Sequence, residues 1–374
     1  MKYQITAMDM HFLLRELKER LIRAKADKIF QPEKKDFIIR FHATGIGKQI
    51  MRINLPGYMF LTDFKGEMPE APGGFCMMLR KYLTGSRLAD IRQPGFERVL
   101  ELVFETKQGI YRLIIEFFSI GNMIFTDEDY NIKSVLEAKR WKDRTLRGNV
   151  CYEFPKKRLN PFELSNDDFR VCIKGSEKES IVKSLAMDLG IGGSYSEEIC
   201  MRAGIEKDKK NLADEEIDAL YAEIKNLADE EIDANVIYED NLPAIILPVR
   251  FKTRRDGVVK SFSSFNEALD SILTREAHMH EQEKRLAPYK KELERLNRQI
   301  EQQKNQISEY KESADENQKK GELIYQKYAV VDEIISTINN ARKKHSFKEI
   351  KEKLKGHKVV KEINEKDKTV SVEL

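Results

Sequence analysis

Adjacent Glu97 and Arg98 set a carboxylate beside a guanidinium, and that pair of types has a definite chemical use. The planar fork of arginine makes bidentate contacts to phosphate or to a base edge, and a neighbouring carboxylate can orient it. A plain surface ion pair is the other reading. Basic and aromatic residues interleave at Lys139-Arg140-Trp141-Lys142, and cations gather at Lys156-Lys157-Arg158 and at Arg250, Lys252, Arg254 and Arg255. Such mixtures suit RNA, whose phosphates meet cations and whose unpaired bases stack on rings; solvated loops share the pattern. A third candidate is Leu189-Gly190-Ile191-Gly192-Gly193. Its glycines reach positive φ and leave backbone N–H groups open to a phosphate, whereas a C-capping turn between packed helices would use the same residues.

Side chains for catalysis do not assemble in the same way. His278 and His280 are two apart, so a helix would point them in different directions and away from a shared metal. Cys76, Cys151, Cys172 and Cys200 form no CxxC pair, and among apolar or aromatic neighbours they read as reduced core thiols of a cytosolic protein. The expectation is therefore no catalytic residue, no metal, no cofactor and no enzyme. Charge narrows the remaining classes: Lys+Arg 66 against Asp+Glu 63 leaves +3, so nucleic acid would have to meet a local basic surface. No apolar segment opens the chain and none is long enough to span a bilayer, which predicts a cytoplasmic protein with no membrane partner.

At 374 residues and 41% hydrophobic content, the chain has material for two or three domains. Met10, Leu13, Leu14, Leu17 and Leu21 fall at helical spacing within residues 8–25, with Thr6 or Asp9 as the cap. Short β-patterned runs follow at Asp36–His42, Gln49–Asn54 and Tyr58–Thr62, then a helix at Phe75–Thr84 and strands at Val99–Thr106, Ile110–Phe117 and Met123–Thr126. The period turns helical from Ser176 to about Ala234, where the glycine stretch would join two short helices into a helix-hairpin-helix. Asn211–Ala219 recurs identically as Asn226–Ala234 and reads as a duplication within a helical segment. After a β-rich return through Phe262, Leu286, Leu293, Ile300 and Ile307 repeat every seven residues, with Tyr289, Leu296, Gln303 and Tyr310 three positions on. That is a coiled-coil seam, with Pro288 marking a kink or a fresh helix start. A last helical part, Tyr328–Leu354, leads to a hairpin around Asn364–Lys368.

Several of these stretches together resemble the NFACT/RqcH family. Phe75-Cys76-Met77-Met78-Leu79-Arg80-Lys81-Tyr82-Leu83 is similar to its F-x-x-x-L-R-K-x-L helix, and Gly95-Phe96-Glu97-Arg98-Val99 to its G-F-D-R-I strand entry. Gly121-Asn122-Met123-Ile124-Phe125-Thr126-Asp127 resembles its G-N-I-I-L-T-D strand. Leu189 through Cys200 resembles its L-G-L-G-G-x-Y-A-E-E-I-C hairpin, and Ala329–His345 followed by Ser346-Phe347-Lys348-Glu349-Ile350 its middle segment, where Phe347 takes a position usually held by Trp. The resemblance implies an RNA-binding ribosome quality-control factor. Its partners would be the large ribosomal subunit with a stalled peptidyl-tRNA, rRNA, and tRNA (alanyl-tRNA first) recruited for C-terminal tailing of the nascent chain. It places RNA-binding roles on Asp9, Glu97, Arg98, Glu116, Phe117, Phe118, Gly190, Gly192 and Gly193. Glu97 stands where the family usually has Asp; with the compact Glu105–Tyr111 hairpin it points to an archaeal rather than a bacterial member.

The implied fold is α+β: a glycosylase-like NFACT-N domain (1–174), a helix-hairpin-helix (175–234), a β-rich return (235–274), the outgoing helix of a coiled-coil arm (275–327) and a tip domain (328–374). The returning helix and the family's C-terminal RNA-binding domain are expected beyond Leu374, leaving the seam at 286–310 to self-associate or to stay mobile. Two rival functions are weighed against this one. A DNA-glycosylase-like protein would need an N-terminal proline nucleophile where Lys2 and Tyr3 stand, so it would bind nucleic acid without catalysis. A fibronectin-binding surface adhesin would need a route to the cell surface, and the sequence shows no signal peptide.

Overall fold

The computed structural model describes residues 3–64, 66, 72–141, 144–155, 159–254, 257–364, 366–367 and 369–374, with only the backbone of residues 280 and 284. Lys2, Lys142, Lys156, Lys157, Arg158, Arg255 and the His280 side chain, all named above, lie outside it. Two compact units are present, Met1–Gln282 and Glu283–Leu374.

The first unit opens with α1 (Ala7–Leu21), which buries Met10, Leu13, Leu14, Leu17 and Leu21. Thr6 caps it: the Thr6 hydroxyl accepts the Asp9 N–H at 3.0 Å and the Asp9 carboxylate accepts the Thr6 N–H at 2.9 Å, a reciprocal capping box. Then come β1 (Lys25–Glu33), β2 (Asp36–Ala43), β3 (Gly47–Asn54), β4 (Tyr58–Leu61), α2 (Gly74–Leu83), β5 (Arg87–Arg92), β6 (Val99–Thr106), β7 (Gly109–Glu116), β8 (Asn122–Asp127) and β9 (Ile132–Val135). The nine strands form one antiparallel sheet in the order β4-β3-β2-β1-β5-β6-β7-β8-β9. Strands β1, β5 and β9 were not anticipated. Lys25, Lys28 and Glu33 in β1, and Arg87, Asp90 and Arg92 in β5, dilute the apolar alternation on which a strand reading depends.

Next in the chain are β10 (Lys139–Arg140), β11 (Thr145–Leu146), α3 (Asn166–Lys174), α4 (Ile181–Met187), α5 (Gly193–Arg202) and α6 (Asp214–Asp229). Helix α3 also escaped the sequence reading. A three-stranded sheet of β12 (Asn235–Glu239), β13 (Leu242–Leu247) and β14 (Val258–Ser261) follows, with β12 central. One core runs through the unit, from Ile5 and Phe12 through Phe104 and Phe117 to Leu185, Ile199, Val236 and Leu273. The segments expected as separate N-terminal, hairpin and return domains therefore share buried residues.

Helix α7 (Phe265–Gln326) starts in this unit, and its root is tied down twice. The Glu16 carboxylate accepts the Phe265 and Asn266 N–H groups, both at 2.8 Å, which favours a helix N-terminus electrostatically. The Asn266 side-chain amide accepts the Leu61 N–H at 2.6 Å and donates to the Leu61 carbonyl at 2.9 Å. An amide so placed stands in for a neighbouring strand beside β4, at the edge of the large sheet.

Three expectations are corrected here. No fresh helix begins at Pro288, because α7 continues through it. Cys76 and Cys200 are buried, but Cys172 is half-buried and Cys151 exposed, so the four are free thiols and only two are core thiols. The second copy of the duplicated stretch is not within a helix: Asn226–Asp229 ends α6 and the following residues are extended toward β12. The first copy, by contrast, leads into α6 at Asp214. The N-terminus of α6 draws Asp214, Glu215 and Glu216 in its first turn, whereas its C-terminus is taken by α1 side chains: His11 Nε2 donates to the Ala228 carbonyl at 3.0 Å and Arg15 to the Glu230 carbonyl at 2.8 Å.

The second unit holds the rest of α7, then α8 (Tyr328–Arg342), α9 (Phe347–Lys353) and the hairpin of β15 (Val360–Asn364) and β16 (Thr369–Val372). Ile350, Val360 and Ile363 form its core, with Ile334, Phe347 and Leu354 packed on them. Along α7 the seam residues Leu286, Leu293, Ile300 and Ile307 are all about half exposed, at 52, 60, 47 and 54%.

Candidate nucleic-acid interface

The hairpin of β6 and β7 brings together residues that the sequence holds well apart. Val99 pairs with Glu116 at its open end, and the Phe117 N–H donates to the Arg98 carbonyl at 2.8 Å. Glu97 and Arg98, just before β6, therefore sit beside Phe117 and Phe118, just after β7. The turn carrying Glu97 is held to α1 by Gln93, whose Nε2 donates to the Ala7 carbonyl at 2.9 Å and to the Glu97 carbonyl at 3.0 Å. Beneath it, the Phe96 ring meets Phe162 edge-on at 4.8 Å.

From the other side comes the glycine hairpin. Helices α4 and α5 bury Ile181, Leu185, Tyr195 and Ile199. Between them Gly190 has φ +72 and Gly192 φ +89, ψ 154, the latter a region open essentially to glycine alone. Gly193 is different: exposed, at the first position of α5, with no unusual φ. The reading that the glycines serve a sharp turn thus applies to Gly190 and Gly192.

These parts close on a cleft of about 430 Å³. Phe96, Glu97, Arg98 and Phe118 line it from the sheet; Ala186, Gly190 and Gly192 from the hairpin; Thr6 and Ala7 from the start of α1. Two helix N-termini, those of α1 and α5, thus open on the same space as a guanidinium. N-terminal N–H groups and the positive end of the helix dipole both favour an anion, and arginine adds a fork matched to phosphate. A second cleft of about 520 Å³ shares Glu97 and Pro155 with the first and is lined by Lys18, Arg92, Tyr130 and Phe154. Cations beside rings give it the composition of a surface for an RNA strand.

Asp9, Glu116 and Phe117 do not line either cleft. The expectation that they meet RNA themselves is corrected, because they are 4, 2 and 0% exposed. Asp9 accepts the Tyr195 hydroxyl at 2.6 Å, joining α1 to α5. Burial raises its pKa above the ordinary carboxylate value, against the lowering effect of hydrogen bonds from Tyr195 and Thr6, and burial with the charge of Asp9 pushes the Tyr195 phenol well up. Glu116 pairs with Arg144 and accepts the Tyr152 hydroxyl at 2.9 Å. Burial first, then the Glu116 charge, raises the Tyr152 phenol strongly. Spacing cannot reveal such carboxylates; both faces of β7 are covered at its end, so the alternation of a half-exposed strand does not apply.

Sequence reasoning also missed Glu198, which is fully buried. It accepts Arg202 Nε at 2.7 Å, the Lys252 N–H at 2.8 Å, and the N–H and hydroxyl of Thr253 at 2.9 Å each. Burial pushes its carboxyl up, but these donors bring it below its ordinary value. It fixes a basic loop, including Lys252, against α5. Among the described residues no cluster of three or more His, Cys, Asp or Glu side chains could hold a metal ion, and no helix is long and apolar enough to cross a membrane.

Comparison with known proteins gives a consistent placement. The family model for the NFACT N-terminal and middle domains matches residues 6–371. The archaeal Rqc2 homolog aRqcH of Methanocaldococcus jannaschii is 33% identical over 371 residues, covering 96% of this chain and 55% of that protein. The Rqc2 homolog RqcH of Bacillus subtilis is 26% identical over 271 residues, covering 68% of this chain and 46% of that protein. The chain thus spans about half the length of these relatives. In structure, the N-terminal part of the fibronectin/fibrinogen-binding protein from Streptococcus suis superposes with a TM-score of 0.60 at 20% identity, over 73% of this chain and 100% of that one.

Proposed function

The chain belongs to the NFACT family, and from that premise we propose that it is the N-terminal and middle portion of a ribosome quality-control factor. In this reading it works in the cytoplasm on a large ribosomal subunit that still carries a peptidyl-tRNA. There it holds rRNA and recruits tRNA, alanyl-tRNA first, for C-terminal tailing, while peptide-bond formation stays with the ribosome. The names of the relatives support the quality-control part. The observation that carries the RNA part is the cleft where the starts of α1 and α5 meet Arg98. An α+β body joined to a glycine hairpin is also the layout of glycosylase-type nucleic-acid binders, here without their nucleophile. The segments 1–174, 175–234 and 235–274 would make the RNA-facing body, and 275–327 and 328–374 the arm and its tip.

Sucrose-gradient sedimentation of the tagged protein, followed by sequencing of co-purifying RNA, tests this. The protein is expected in the large-subunit fractions with tRNA enriched, and the association should fall steeply with salt as counterions are released. Arg98→Ala should lower the tRNA yield while moving the melting temperature little. Cosedimentation no greater than that of a mock protein of similar charge would sink the reading.

A further inference from the structure

The small hairpin of β10 and β11 plays no part in the clefts described above, yet it is built with care. Each strand is two residues long, closed by the Trp141 N–H donating to the Arg144 carbonyl at 2.8 Å. So short a ladder has little stability of its own. It is braced from beneath. Leu146 and Tyr152 are buried with Val99, Ile114, Ile124 and Ile132 in a separate apolar cluster, against which Phe118 also packs. Arg144 pairs with the buried Glu116, which also holds the Tyr152 hydroxyl. The Arg144 guanidinium lies 5.1 Å from the Tyr152 ring centroid and 5.6 Å from that of Trp141, so one cation lies within reach of both rings.

Despite this support, Trp141 is 44% exposed. Lys139 Nζ lies 5.8 Å from its ring and 3.9 Å from Glu137, and Arg140 beside it is exposed. A tryptophan needed only for packing would be covered. A ring fixed at the surface, among cations, offers what an unpaired base needs: a π-face already ordered and positive charge for the adjoining phosphate. The only carboxylate on Arg144 is itself buried and neutralised by that arginine, so the face presented to a ligand is basic.

We propose that Trp141 is a stacking site for an unpaired RNA base, with Lys139 and Arg140 meeting the neighbouring phosphate and the Glu116–Arg144–Tyr152 network holding the ring in place. The site rests on the RNA-binding reading above and extends it to a residue outside the clefts. It also gives Glu116 a positioning role in place of direct contact.

Trp141 is the only tryptophan in the sequence, so the intrinsic fluorescence of the whole chain reports this ring alone. A single-stranded uridine oligonucleotide should quench it saturably, with the midpoint found by fluorescence anisotropy of the labelled RNA. A blunt RNA duplex of equal length should leave the emission unchanged. Trp141→Ala should weaken single-strand binding about five- to a hundredfold, the range that loss of one base–aromatic stack implies, and Trp141→Phe should restore most of it. If wild type and Trp141→Ala bind the oligonucleotide equally, the stacking site is wrong and RNA binding stands. Equal quenching by the duplex would overturn the site as well, since charge alone would then account for the signal. If the wild type binds no RNA in any form, this site and the broader reading fall together.

Discussion

Asp9 accepts from Tyr195 of α5 and closes the capping box of α1, so a single buried carboxylate joins the two helices whose N-termini open on the cleft. Asp9→Ala would leave the Tyr195 hydroxyl buried without that partner and undo the cap. The expected loss is about 2–4 kcal/mol in melting experiments, together with weaker RNA binding. Asp9→Asn keeps an acceptor and should lose less. The pH dependence has a fixed sign. Burial raises the folded-state pKa of Asp9 above its unfolded value, so its contribution is fully present below the unfolded pKa and is lost as pH rises through the raised one. Wild type should therefore gain on Asp9→Asn as the solution is acidified; a difference independent of pH would show that Asp9 does not titrate as described. Family resemblance pointed to Asp9, Glu97 and Arg98 in the sequence, but it could not tell a residue lining the cleft from one bracing it. That distinction depends on burial by distant segments: Tyr195 lies 186 positions from Asp9.

At the level of elements, periodicity found α1, α2 and strands β2, β3, β4, β6, β7 and β8 because one face of each carries regular apolar positions. The duplicated stretch shows where that method stops. Identical residues begin a helix in one copy and end it in the other, and the difference comes from His11 and Arg15, which seize carbonyls only at the second. Local propensity is the same for both copies, so tertiary contacts decide. The glycine hairpin was legible as a turn, but the individual glycines are not equivalent, and substitution should separate them. Gly192→Ala forces a side chain into a glycine-only conformation and should cost about 1–3 kcal/mol. Gly193→Ala, in an exposed helical position with open space around it, should be neutral or stabilising by up to about 1 kcal/mol. Equal melting temperatures for the two variants would contradict the hairpin geometry.

Across the whole molecule, the α+β character of the first unit and the long helix were both readable from pattern. A core shared by three expected domains was not, since separation along the chain says nothing about which segments pack together. The exposed seam on α7 has a consequence in solution. Leu286, Leu293, Ile300 and Ile307 present an apolar stripe at coiled-coil spacing, and such a stripe favours pairing. Sedimentation equilibrium should show concentration-dependent self-association that Leu293→Glu with Ile300→Glu abolishes. A strict monomer at every concentration would leave the seam without this role.

The root of α7 also has a mechanical meaning. Tension along that helix reaches the large sheet through four hydrogen bonds: two from the backbone of Phe265 and Asn266 to Glu16, and two between the Asn266 amide and Leu61. Behind them, Phe265, Leu269 and Leu273 must be drawn out of the core before the helix comes free. The load the helix can bear is therefore set at its first three turns, and Asn266→Ala would lower the rupture force without touching the seam.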